Sequence, residues 1–166
     1  NALNRDEYKD FTAVEAAIGA VVRDKKLPEQ AEVDAMAQAI EDAITALEYK
    51  EADYTKVDEA IAKANALNRD EYKDFTAVEA AIGAVVRDKK LPEQAEVDAM
   101  AQAIEDAITA LEYKEADYTK VDEAIAKANA LNRDEYKDFT AVEAAIGAVV
   151  RDKKLPEQAE VDAMAQ

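Results

Sequence analysis

The chain has no cysteine and no histidine, and only three glycines and three prolines in 166 residues. Without thiols or imidazoles there is no disulfide framework, no catalytic cysteine and none of the usual zinc ligand sets. The shortage of glycine and proline leaves few places where a helix must break. No apolar run approaches the roughly 18 to 20 residues that span a bilayer, and nothing resembles a signal peptide. Basic residues are also in deficit: 21 Lys and Arg face 38 Asp and Glu, for a net charge of −17. So acidic a chain is expected to bind neither nucleic acid nor an anionic membrane, because basic residues supply most of the affinity for both.

What is present is repetition. The stretch NALNRDEYKDF at Asn1 returns unchanged at Asn65 and Asn129, and the residues that follow repeat with it, so the period is 64 residues. The repeat, rather than the whole length, is then the folding unit, and roughly 60 residues suffice for a small bundle. Residues 1–51 read as a partial repeat with helices B and C but no helix A. Residues 52–115 form a complete copy, and residues 116–166 a partial copy with a truncated helix C. Within Ala52–Glu115 there are 15 acidic and 8 basic residues, a net of −7, so each copy repels its neighbours. The chain reads as a window on a longer array, and each end copy is expected to leave an apolar face without its usual cover.

In the complete copy, Val57, Ala60, Ile61, Ala64 and Leu67 fall at the spacing of one helical face, helix A. Asp53 or Thr55 caps it, and Thr55 with Asp58 has the spacing of a capping box. Helix B carries Tyr72, Phe75, Val78, Ile82 and Val85 and is expected to end near Arg87, with Asp74 or Thr76 as cap and Thr76/Glu79 at capping-box spacing. Gly83 then falls inside helix B, at a cost of about 1 kcal/mol relative to alanine, and close helix approach is the expected reason for it. Leu91 and Pro92 interrupt the pattern and open helix C, Pro92 to Glu112, with Val97, Met100, Ile104, Ile108 and Leu111 along one face.

Three such stripes can be hidden only against one another. The expected fold is therefore all-α: tandem three-helix bundles arranged end to end as an elongated rod, with the thirteen larger residues just named, Ala60 and Ala64 aside, as the core. The connector EYKEADYT, Glu112 to Thr119, lacks glycine and proline and is expected to form a short, stiff break near Asp117.

Candidate chemistry is sparse. Acids such as Glu105, Asp106 and Glu112 lie on polar helix faces, where solvation is expected rather than the desolvated pairing that acid–base catalysis needs. Asn68–Glu79 places oxygen-bearing residues near a calcium-loop frame, but Lys73 stands where the sharp turn requires glycine. The stretch reads as a helix-starting turn that drops Tyr72 and Phe75 into the core. LPEQA at Leu91 is near the sortase signal, but Gln94 and Ala95 replace the threonine and glycine needed for cleavage. Tyr54, Tyr72 and Tyr113 form either an exposed ladder for a ligand or partly buried packing at the bundle ends. No enzyme activity, metal or cofactor is expected.

ADYTKVDEAIAKANAL, Ala52 to Leu67, and EQAEVDAMAQAIEDAITAL, Glu93 to Leu111, give the repeat its identity. With its DYT start, the tyrosine before helix B and the QAEVD opening of helix C, the unit resembles the FIVAR repeat, a module found in various architectures. The resemblance spans the whole 64-residue unit. It implies three-helix bundles in cell-wall-anchored or secreted proteins of Gram-positive bacteria. It further implies one of two roles: a structural stalk that projects a functional domain, or a multivalent adhesin that binds a host matrix protein such as fibronectin through avidity. Identical copies favour the stalk, since no copy has acquired a role of its own. An odd number of helices places the start and finish of each copy at opposite ends, as a monomeric rod requires.

Overall fold

The computed structural model describes residues 3–166, among which there are eight α-helices and no strand. They are α1 (Thr12–Gly19), α2 (Gln30–Thr45), α3 (Thr55–Ala66), α4 (Thr76–Gly83), α5 (Gln94–Thr109), α6 (Thr119–Asn129), α7 (Thr140–Gly147) and α8 (Gln158–Met164). The protein is all-α, as its composition requires.

The starts of α1, α3, α4 and α6 follow one local rule. An aspartate two residues ahead of a threonine turns its carboxylate back onto the threonine N–H: Asp10 onto Thr12 at 2.8 Å, Asp53 onto Thr55 at 2.9 Å, Asp74 onto Thr76 at 2.8 Å and Asp117 onto Thr119 at 2.9 Å. This satisfies an N–H that the helix itself leaves orphaned. The threonine–acid capping boxes do not close in this way. Glu79 instead pairs with Arg69, whose guanidinium lies 4.9 Å from the centre of the Phe75 ring. The Asp74 and Asp53 carboxyls are held below their ordinary range, first by the threonine hydroxyl and then by its N–H.

Helices B and C differ from expectation in their limits. Helix B ends at Gly83, not near Arg87, and residues 84–90 run as a loop. Tyr54 staples that loop: its hydroxyl donates to the Val86 carbonyl at 2.8 Å and accepts from the Lys89 N–H at 3.1 Å. Gly83 therefore closes the helix instead of lying within it. A Cβ built on Gly83 would meet nothing within 4 Å, so close helix approach is not its purpose. Helix C is also shorter than expected. Leu91–Glu93, including Pro92, forms a 3-10 turn in which the Glu93 carboxylate accepts from the Lys90 N–H at 3.0 Å, and α5 then stops at Thr109.

The chain folds as two compact units: residues up to Ile61 with Ala84–Ala103, and Ala62–Gly83 with Ile104–Gln166. In the first, the segment before α1 pairs with the segment after α2, so these helices are antiparallel. The starts of α3 and α5 lie together, with Lys56 and Asp98 at 3.2 Å, so those helices are parallel. Its core holds Tyr8, Val14, Ala52, Val57, Ala60, Val97 and Ala101. The second unit repeats both relations. Lys73 pairs with Glu112 across the ends of α4 and α5, and Lys120 pairs with Asp162 at the starts of α6 and α8. Its core holds Ala64, Tyr72, Val78, Ile104 and a cluster of Ala116, Val121 and Val161, against which Tyr118, Ile125, Val149 and Met164 pack.

Of the expected core residues, Val57, Tyr72, Val78, Val97 and Ile104 are buried. Ile61, Leu67, Phe75, Ile82, Val85, Met100, Ile108 and Leu111 are partly buried. The repeats also act as their own controls. Val33, Val97 and Val161 share one sequence position, yet they are 36%, 0% and 0% exposed; the starts of α3 and α6 lie against those of α5 and α8, which carry the last two. In the third copy a groove of about 310 Å³ opens among α6, α7 and the end of α8, lined by Val121, Ile125, Val142, Ile146, Val149 and Met164.

Candidate functional site: the junction between repeats

The connector between copies is not a free linker. Glu48 to Ala52 runs extended between two partners, each on a different side. Upstream, the Lys9 N–H donates to the Glu48 carbonyl at 2.9 Å and the Lys50 N–H donates to the Glu7 carbonyl at 2.8 Å. Downstream, the Ala52 N–H donates to the Lys89 carbonyl at 3.1 Å and the Leu91 N–H donates to the Lys50 carbonyl at 2.8 Å. Lys50 thus spends its N–H on one copy and its carbonyl on the next. Its Nζ also reaches the Asp6 carbonyl at 2.8 Å.

Side chains reinforce both flanks. Lys90 holds the Glu51 carboxylate through both oxygens, at 2.6 and 2.8 Å, while Lys9 approaches the same carboxylate at 3.8 Å. The Glu51 carboxyl is accordingly held below its usual range, chiefly by the Lys90 hydrogen bond. Gln94 clamps the Asp53 backbone at both ends: the Asp53 N–H donates to its Oε1 at 2.7 Å and its Nε2 donates to the Asp53 carbonyl at 2.8 Å. Most of these groups face solvent, where screening by water leaves each ion pair little net stabilisation. The backbone pairs and the buried Ala52 fix the geometry.

The second junction reproduces the first. Lys73 donates to Glu112, Lys114 to Glu71, Ala116 to Lys153 and Leu155 to Lys114, at 2.9, 2.8, 3.1 and 2.8 Å. Lys154 holds Glu115, and Gln158 clamps Asp117. Identical sequence has produced one geometry twice.

The tyrosines divide between these junctions. Tyr72 stacks on Tyr113 with ring centres 4.7 Å apart and planes inclined by 21°, and their hydroxyls lie 3.3 Å apart. Tyr8 and Tyr49 make the same pair. Tyr54 and Tyr118 face the loops that follow α4 and α7 instead. The three tyrosines considered as a ligand ladder thus take different places: Tyr72 is buried, Tyr54 is half-buried as a loop staple, and Tyr113 is 41% exposed beside Tyr72.

The hydrogen bond to Tyr113 and burial push the Tyr72 hydroxyl up to about 12, and Tyr8 rises likewise beside Tyr49. The folded value exceeds the unfolded value of about 10. The resulting stability is fully present below pH 10 and is lost as pH rises from 10 to 12. An absorbance titration followed alongside helicity should show two late phenolates that ionise as the helices melt. Ionisation of all seven tyrosines around pH 10 with helicity intact would contradict this.

The remaining sequence candidates are absorbed into local structure. In the calcium-like frame, Asn68 accepts from the Asp70 N–H and donates to Glu71, Asp74 caps α4, and Glu79 holds Arg69. Among the described residues no group of acids is placed to hold a metal, and no helix is long and apolar enough to cross a membrane. Ala52, Ala101 and Ala116, which a selection of large residues passes over, are buried. No protein-family model matches the chain, and comparison with curated proteins and with solved structures yields no match either.

Proposed function

We propose that the chain is a stretch of a structural stalk, a monomeric rod of identical three-helix bundles joined end to end. Such a stalk holds a functional domain, elsewhere in the protein, away from a Gram-positive cell wall. The observation that carries this reading is the connector, paired on both sides and tied to the two copies it joins. A flexible linker would let copies fold back on one another, whereas a clamped one makes the separation of the ends depend on copy number. The parallel starts of helices A and C support the geometry, since a copy that begins and ends at opposite poles extends the chain. The resemblance to FIVAR repeats supports an extracellular, wall-anchored or secreted setting. The net charge of −17 suits a surface that repels its own kind. Nothing in this role requires catalysis or a cofactor.

Solution scattering on polypeptides of two, four and six whole copies tests the reading. The 16-residue α5 and its 3-residue 3-10 lead-in give a copy length of about 30 Å. The maximum dimension is expected to rise by a constant ~30 to 40 Å per copy. Growth with the square root of copy number, as for a flexible chain, would sink the proposal.

A further inference from the structure

The geometry points to a second property of the junction: we propose that each stacked tyrosine pair is a site of oxidative cross-linking, forming an intramolecular dityrosine that bolts the connector to its upstream copy. The inference does not depend on the stalk reading.

The rings of Tyr72 and Tyr113 converge towards their hydroxyls, from 4.7 Å between centres to 3.3 Å between oxygens. The Cε carbons flank those hydroxyls and so lie on the converging side of the stack. These carbons carry the spin density of a phenoxyl radical and are the atoms that couple. Tyr113 is 41% exposed and gives an oxidant access, while Tyr72 is 8% exposed and held against it. Tyr49 and Tyr8, at 41% and 7%, reproduce the arrangement in the other junction.

A haem peroxidase with hydrogen peroxide is the oxidant class the step needs. Each phenol gives up one electron and its hydroxyl proton. The two radicals join through a Cε–Cε bond, and each Cε hydrogen then shifts to oxygen as the ring regains aromaticity. The pair loses two electrons and two protons in all, and these convert one peroxide to two waters. In a chain without cysteine, this chemistry provides a covalent tie that disulfides cannot.

Selectivity is the test. After peroxidase treatment of the full chain, peptide mass spectrometry should find Tyr8 joined to Tyr49 and Tyr72 joined to Tyr113, each link with the loss of two hydrogens. The yield should not change across a dilution series. Tyr54 and Tyr118, whose hydroxyls hold the loops, should form no intramolecular link, and the exposed Tyr136 should link only between molecules. The double variant Tyr49→Phe with Tyr113→Phe keeps both stacked rings but should lose both links. In the cross-linked chain, amide exchange of the Lys73 and Lys114 N–H groups through full unfolding should be slower by roughly several hundredfold, as expected for closing a loop of some forty residues. Oxidised Tyr113 without a link to Tyr72, or links whose yield falls on dilution, would overturn the proposal.

Discussion

Ile104→Asp is expected to unfold the second compact unit under conditions where the parent chain is fully helical. Ile104 is 0% exposed, and no buried polar or charged residue occurs among the described residues to receive a carboxylate. A charge placed there would have to be neutralised or drag water into the core, which puts the cost above about 4 kcal/mol. That is comparable to the whole stability of a small unit. Ile40 occupies the same position in the first copy with the same sequence neighbours, but it is only partly buried. Ile40→Asp should therefore cost clearly less. Urea titrations of the two variants, read by circular dichroism, compare burial at constant local sequence. Equal midpoints would mean that the packing assigned to α5 is wrong.

Tyr72→Ala should be nearly as damaging, through the junction. It removes the ring that stacks on Tyr113 and tilts against Phe75 at 6.0 Å, together with the bond between hydroxyls. Truncating a large buried aromatic costs about 3 to 5 kcal/mol. The loss should appear locally as faster amide exchange at Lys73 and Lys114, whose N–H groups pair across the connector on either side of the stack. Tyr136→Ala alters the same residue where it is 48% exposed, and surface changes of this kind stay within about 0.5 kcal/mol. Unchanged exchange at Lys73 and Lys114 in Tyr72→Ala would show that the stack does not hold the junction.

The starts of helices A and B were legible because their causes are local. Asp53 and Asp74 stand two residues before the threonines they cap, and the apolar spacing from Val57 and from Val97 runs onward without interruption. The limits that sequence misplaced have distant causes. Val85 continues the apolar spacing beyond Gly83, so nothing nearby announces the end of α4. The loop there is held by Tyr54, 32 and 35 residues away from its two partners. The connector's lack of glycine and proline was visible in the sequence. Its pairing with Glu7 on one side and Leu91 on the other depends on contacts across some forty residues, which no window of local pattern contains. The stacking of Tyr72 on Tyr113 is of the same kind: the residue types were visible, but their meeting was not. Among core residues, size was a partial guide. Ala52 and Ala116 are buried because extended backbone brings them under neighbouring loops, and a methyl group is what that space accepts.

The two-sided engagement of Lys50 also bears on how heat would take the array apart. One residue that shares its N–H with the preceding copy and its carbonyl with the following one makes the melting of either copy a disturbance of the other. Such an array behaves as a one-dimensional chain of coupled elements, in which neighbour interfaces add to intrinsic stability. The compact units divide inside α3, after α4 and inside α5, not at the connectors. Calorimetry on arrays of increasing length should then give a transition that sharpens and shifts upward with the first added copies and levels off, since each new copy adds one junction while the two frayed ends stay constant in number.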